Sequence, residues 1–203
     1  MRALVELVKE GKIRYIGLSL PSPTTLRRAH KVHPVAAIQV EYSPSMLDVE
    51  AKGHLLDNAR ERGIAVVAYT PTGAGLLSGH ITCHADLPEH DFRRLSPKFS
   101  DEKFPAILAL AAKFKEVGSA HNTTGSQIAL AFLLAQGDNV IPIPGSKTIE
   151  YNEENMLVEY IKLTPQEAAS LRKAIEETEI PGDRYPQWVT QTLFRDTPEE
   201  SAV

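Results

Sequence analysis

Four short β-rich segments punctuate this chain, at residues 12–19 (KIRYIGLS), 36–42 (AAIQVEY), 64–69 (IAVVAY) and 140–143 (VIPI), and a helical pattern follows each. Strands joined through helices run parallel, because a connection that long returns the chain to the same end of the sheet, and such crossovers are right-handed. The run at 64–69 has no polar position before Tyr69, which predicts a strand covered on both faces. The predicted order is one leading helix and then four strand–helix units. Four such units form half of an eight-stranded (β/α)8 barrel, which when whole takes about 250 residues. The expected fold class is therefore α/β, a partial TIM barrel, with residues 1–203 in a single domain. An open, doubly wound four-stranded sheet is the rival reading.

The helices are marked by their ends. Leu4, Val5, Leu7 and Val8 share one face of a short first helix, and Gly11 stops it. Ser22-Pro23 opens a second helix that runs to His30, with proline at the first helical position. Residues 53–62 form a third, closed by Gly63. Residues 103–117 and 127–136 are helical, and Thr124 to Gln127 reads as a capping box for the latter. A short helix is expected at 149–156, and a second capping box, Thr164 to Glu167, starts a helix to about Glu177. Residues 79–101 are a long polar excursion with His80, His84, His90, Arg93 and Arg94, read as a functional loop. Residues 181–203 are rich in proline and charge and are expected to form a surface tail.

Composition removes several classes of function. A net charge of −4 leaves no basic surplus to track a phosphate backbone, so nucleic acid is not the expected partner. No apolar run approaches the roughly 18 residues that span a bilayer, and the N-terminus lacks the uninterrupted apolar stretch of a signal peptide, so no membrane role is expected. The single cysteine, Cys83, permits no internal disulfide and suits a reducing, cytoplasmic compartment. The seven histidines show no metal-ligand spacing, so no metal site is expected.

In a β/α barrel the working residues sit just beyond the C-terminal ends of the strands. Those ends here carry Ser19, Gln39, Tyr69 with Thr70, and Gly145-Ser146-Lys147. A hydroxyl and an amide can bind a carboxamide, an aromatic ring can stack on a nicotinamide, and a Gly-Ser-Lys turn can take a phosphate. Each alone has an ordinary reading: Ser19 as a turn residue, Gln39 as a satisfied buried amide, Tyr69 as core. Their coincidence at successive strand ends is the signal. Two decoys fail. Residues 73–79 (GAGLLSG) resemble a dinucleotide fingerprint but open into a polar loop instead of a helix, and residues 145–148 end like a P-loop without its upstream glycine.

Assembled, these residues resemble the aldo-keto reductase family, nearest its fungal, pyridoxal-reductase-like branch. The matching stretches are GKIRYIGLS (11–19), TTLRRAHKVHPVAAIQVEYSP (24–44), GIAVVAYTPTGAGLLSG (63–79), IALAFLLAQGDNVIPIPGSK (128–147) and EEN (153–155). They correspond to the family's second half, barrel strands five to eight. The resemblance implies NADPH-dependent reduction of an aldehyde or ketone. It implies that Ser19 and Gln39 bind the nicotinamide carboxamide, that Tyr69 stacks on the ring, and that Thr70, Pro71, Thr72, Gly73 and Gly75 belong to the loop lining the pyrophosphate. Gly145, Ser146 and Lys147 then fall around the adenosine 2′-phosphate, and Glu154 and Asn155 at the adenine.

Departures qualify it. The pyrophosphate loop commonly reads Ser-Pro-Leu-Gly-Arg-Gly, whereas residues 70–75 read TPTGAG, so a cationic phosphate contact is expected to be missing and NADPH affinity to be reduced. Some members carry a basic residue where Thr148 or Tyr151 stands. The family's catalytic Asp, Tyr, Lys and His belong to its first four strands, so the chain, shortened at its N-terminus, is expected to hold no catalytic residue and to be inactive alone. Tyr42 and Tyr69 are poor substitutes for the proton donor. The expected partners are a small carbonyl substrate once the site is completed, and a complementary half-barrel or a second copy across two open strand edges. The alternative is a non-catalytic interaction or cofactor-sensing protein on the same fold.

Overall fold

The computed structural model of the chain describes residues 1–51, 53–178 and 185–198. Helix α1 (Arg2–Lys9) carries the apolar stripe read from the sequence, but none of its residues is fully buried. Strand β1 is only Gly17–Ser19, shorter than the stretch expected from residue 12. It lies at the edge of the sheet and has a neighbour on one side alone, so residues 12–16 find no ladder; one bond from the Ala36 N–H to the Ile16 carbonyl (2.9 Å) extends the pairing. Helix α2 (Pro23–Val32) starts where Ser22-Pro23 predicts, with the Ser22 hydroxyl accepting from the Thr25 N–H at 2.9 Å. Strand β2 (Ala37–Glu41), helix α3 (Leu55–Glu61) and strand β3 (Ala65–Tyr69) follow.

Two helices, α4 (Phe104–Ala120) and α5 (Gly125–Leu134), separate β3 from β4 (Val140–Ile143). Helix α5 begins two residues earlier than expected, because the Thr124–Gln127 box makes Thr124 the cap and the helix starts immediately after it. Helix α6 (Ile149–Met156) and helix α7 (Pro165–Glu177, with its Thr164–Glu167 box) fall as predicted, and a short α8 (Gln187–Thr190) follows.

The strands pair in chain order, β1-β2-β3-β4, all parallel. Ile38, Val40, Val66 and Ala68 are fully buried and pack in one cluster with Leu26 and Ala29 of α2, Leu55 and Ala59 of α3, Phe132 of α5 and Leu171 of α7. Alternate residues along the strands stay open: Gln39 is exposed, and Ile141 and Ile143 are 49% and 41% exposed. Sequential order with helices on one face is an arc of a β/α barrel, and it rules out the doubly wound rival, which needs helices on both faces. Strand β3 is thus covered on one face only, with Ala65, Val67 and Tyr69 half-buried; its apolar run suits a closed ring, and the arc leaves the inner side open.

A polar clamp binds the helical layer together. The Glu50 carboxylate accepts from the Tyr42 hydroxyl and from both ends of the Arg172 guanidinium (2.6 and 3.1 Å). Arg172 also donates to the Gln136 side chain at 2.6 Å and lies over the Phe132 ring at 5.0 Å. The 79–101 excursion is ordered as three short 3-10 turns and closes over a second small core of Leu76, Leu87, Phe99, Phe104 and Ile107.

Of the expected surface tail, residues 181–184 and 199–203 lie outside the described residues. The described part returns to α2 and the start of α3: the Thr197 N–H donates to the Thr25 hydroxyl (2.9 Å), Arg28 donates to the Thr197 and Pro198 carbonyls (2.7 and 2.8 Å), and Phe194 meets the ring of His54, the cap of α3, edge-on. Among the described residues no helix is long and apolar enough to cross a membrane.

Candidate functional site

Ser19 and Gln39 are register partners across β1 and β2, so their side chains stand side by side on the open inner face of the sheet. Both are exposed. The next row towards the C-terminal end pairs Glu41 with Tyr69 and Tyr69 with Ile143. Leu20 and Thr70 are the first residues past β1 and β3, and both are left-handed, at φ +47° and +53°. A β-branched threonine in that region costs roughly 1–3 kcal/mol, a strain held by the surrounding structure.

The loop after β3 is a compact run of left-handed residues, Gly73 (φ +65°), Ala74 (+55°) and Gly75 (+89°), closed by a bond from the Gly73 N–H to the Thr70 carbonyl at 2.9 Å. A β-carbon on Gly73 would stand 2.6 Å from the Ser45 hydroxyl oxygen, so any larger residue would be strained at this φ and would have to displace that hydroxyl. Against this loop lies a cation from the long excursion. Arg93 Nη1 donates to the Ala74 carbonyl at 2.9 Å, while its Nε and Nη2 grip the two carboxylate oxygens of Asp91 at 2.9 and 2.7 Å.

The facing wall comes from the end of β4 and from α6. Gly145 leaves open space where a side chain would stand. The Asn155 amide donates to the Ser146 hydroxyl (3.0 Å), fastening α6 to the turn before it. Glu154 accepts from the Thr124 hydroxyl at 2.5 Å and, through its carbonyl, from the Gln127 amide at 2.8 Å. Between the two walls runs a groove of about 820 Å³. Its lining includes Thr72, Gly75, Gly145, Glu154 and Asn155, together with Arg93. A smaller cavity of about 60 Å³ adjoins the same loop at Thr70 and Gly73 and shares Arg93 with the groove. The hydrogen bond to Arg93 holds the Asp91 carboxyl at about 2, with a smaller contribution from the charge of Lys147.

The residues singled out in the sequence thus fall into two groups. Thr72, Gly75, Gly145, Glu154 and Asn155 line the groove, with Ser146 held at its rim by Asn155. Ser19, Gln39 and Tyr69 sit on the inner sheet face outside it, and the loop from Thr70 through the buried Pro71 to Gly75 links the two. Lys147 is exposed. Sequence reading missed Arg93, Lys115 and Tyr151 as groove residues. The first two lie in a loop and on a helix that periodicity cannot orient towards β4.

Tyr42 answers the question of a substitute donor. It is fully buried in the helical layer, and burial together with the Glu50 carboxylate pushes its hydroxyl far above the ordinary tyrosine range. No group of three His, Cys, Asp or Glu that could hold a metal lies among the described residues.

A groove of this volume, walled in part by the glycine-rich loop and edged by Arg93 and Lys115, has room and charge for an elongated anion. The aldo/keto reductase family profile matches residues 1–176. The chain is 52% identical over 198 residues to the aldo-keto reductase str7 of Strobilurus tenacellus, covering 97% of itself and 58% of that protein. It is 44% identical over 199 residues to the aldo-keto reductase yakc [NADP(+)] of Schizosaccharomyces pombe, covering 98% of itself and again 58% of the relative. Among solved structures, the glycerol dehydrogenase AKR11B4 of Gluconobacter oxydans superposes with a TM-score of 0.81 at 26% identity, over 90% of this chain and 55% of that one. The chain belongs to the aldo/keto reductase family and spans 58% of the length of these curated relatives.

Proposed function

We propose that this member of the aldo/keto reductase family provides the cofactor-binding half of an NADP(H)-dependent carbonyl reductase acting on an aldehyde or ketone. The observation that carries the reading is the pairing of Ser19 with Gln39 in one register row, next to the row of Tyr69, whose strand runs into the loop that borders the groove. Bound NADPH supplies a hydride to a carbonyl carbon, whose oxygen must then receive a proton. The hydroxyl of Ser19 and the amide of Gln39 offer the mixed donors and acceptors that fix a carboxamide, and with it the face of the nicotinamide. Tyr69, in the adjoining row, presents a ring on which that heterocycle can stack. The backbone of residues 70–75 would hold the pyrophosphate, the 145–147 turn the 2′-phosphate, and Asn155 and Glu154 the adenine. The NADP(+) in the name of the fission-yeast relative supports this cofactor.

On this reading Tyr42 is not the proton donor. Tyr42 is sealed on the helical side of the sheet and donates to Glu50. The reading has turnover depend on a complementary set of strands that would close the ring over the inner face, at the edges formed by β1 and β4. Cys83 as the only cysteine suits a reducing, cytoplasmic setting.

The test is calorimetric titration of NADPH into the purified chain. Saturable binding that Gln39→Leu and Ser19→Ala each weaken several-fold is expected. Absence of saturation at millimolar NADPH, or indifference to both substitutions, would overturn the cofactor assignment. Reduction of aldehydes by this chain alone would refute the missing proton donor. Binding without turnover, even when the relatives' first half is supplied, would favour a cofactor-sensing role.

A further inference from the structure

We propose that Arg93, reaching in from the 79–101 excursion, is the cationic contact for the cofactor's pyrophosphate, in place of the arginine that the loop after β3 lacks at Ala74. The inference rests on the dinucleotide reading above. The loop sequence TPTGAG offers no charge of its own. The fold returns one to the same spot: the Arg93 guanidinium is hydrogen-bonded to the carbonyl of Ala74 itself, at 2.9 Å, and borders both the groove and the smaller cavity beside it.

The guanidinium is also held in a fixed orientation. Asp91 takes two of its N–H groups and Ala74 a third, and the plane lies 5.8 Å from the centre of the Phe99 ring. Phe99 is buried in the small core beneath the excursion, so the arm that carries Arg93 is anchored. Of the five donors on a guanidinium, two remain to be offered to a phosphate oxygen, in the planar fork that suits one. A charge fixed before the ligand arrives costs little ordering on binding. Asp91 orients the fork but also neutralises it. Asp91 therefore tempers affinity for an anion while keeping Arg93 in place.

The experiment measures dissociation constants of the intact chain for NADPH and for adenosine 2′-monophosphate, which keeps the adenine and the 2′-phosphate but has no pyrophosphate. Arg93→Gln should weaken NADPH roughly tenfold, the scale of one charge-assisted hydrogen bond, and leave adenosine 2′-monophosphate unchanged. Asp91→Asn, which keeps one acceptor for Nε and removes the negative charge, should tighten NADPH several-fold. Equal weakening of both ligands by Arg93→Gln would show a collapsed loop and overturn the assignment. So would an unaltered NADPH constant, or weaker NADPH binding in Asp91→Asn. If the unmodified chain binds adenosine 2′-monophosphate but not NADPH, or neither, the dinucleotide reading itself fails, and that result is distinct from a null effect at Arg93.

Discussion

Replacing Arg172 with methionine removes the cation at the centre of the helical clamp. Glu50 then loses two hydrogen bonds, of 2.6 and 3.1 Å, and keeps only the one donated by Tyr42. Stranding one member of a fully buried ion pair costs about 3–5 kcal/mol. Here the side chains of Arg172 and Glu50 are 26% and 22% exposed, so water recovers part of that, and about 2 kcal/mol is the appropriate share. The Gln136 side chain loses its donor at 2.6 Å, and the Phe132 ring loses the cation 5.0 Å away, together about 1 kcal/mol more. The expected loss is about 3 kcal/mol. At about 2–4 °C per kcal/mol for a chain of this size, Tm should fall by roughly 6–12 °C. Urea unfolding followed by far-UV circular dichroism measures it, with an unchanged m-value as the check that the unfolded state is the same. The pair Glu50→Gln, Arg172→Met should cost about 2 kcal/mol less than the sum of the singles, because the stranded charge is then gone. A loss below about 0.5 kcal/mol for Arg172→Met, or strict additivity in the pair, would refute the claim that the clamp holds β2, α5 and α7 in one layer.

Gly73→Ala should disturb the loop after β3, since the new β-carbon meets the Ser45 oxygen at 2.6 Å and φ is +65°; we expect NADPH binding to weaken and stability to drop by about 1–3 kcal/mol, read by titration and urea unfolding. Ile141→Asp with Ile143→Lys, at two positions already 49% and 41% exposed on the inner face, should leave the thermal transition almost unmoved while lowering the apparent mass seen by light scattering; an unchanged mass would argue against association through that face. The Asp91 carboxyl sits at about 2 when folded, below its ordinary value near 3.9, so its contribution to stability is present above about pH 4 and is lost as pH falls through 2. Asp91→Asn should flatten that part of the stability curve, and an identical acid limb in both proteins would contradict the pairing with Arg93.

The parts of the structure legible in the sequence are those fixed by local chemistry. Thr124 with Gln127, Thr164 with Glu167, and Ser22 with Pro23 each set a helix start through a bond within three residues. The strand positions followed from β-rich runs, whereas Gln39 lies in the middle of β2 and its place beside Ser19 is set by the strand register. Strand β1 was over-read, because a β-rich stretch becomes strand only where a neighbour supplies the ladder, and an edge supplies it on one side alone. The two-sided cover inferred for β3 failed for a related reason: IAVVAY records what a closed ring requires, whereas burial depends on what is present to cover it. Arg93 was unreadable as a groove residue because nineteen positions separate it from the Ala74 carbonyl it meets, along an excursion without period.

The two faces of the sheet divide the work of the chain. Ile38, Val40, Val66 and Ala68 are fully buried against the helices, so the helical face accounts for the stability of the arc. The inner face reads differently from row to row. Gly17, Ala37 and Ala65 form a row of small residues, then come Ser19, Gln39, Val67 and Ile141, then Glu41, Tyr69 and Ile143. Polar groups enter as the rows approach the C-terminal ends of the strands, which is where the left-handed loop and the groove lie. A ligand approaching from that end meets hydrogen-bonding side chains first, whereas apolar Ile141 and Ile143 on β4 gain nothing while they face water, at a cost of about 25 cal/mol for each Å² left uncovered. Burying those isoleucines against further strands would stabilise a closed ring and, in the same step, surround Ser19, Gln39 and Tyr69 with a wall that excludes water. If the proposed function holds, closure of the ring and completion of a carbonyl site would be one event, and a substitution that weakens the first should weaken the second.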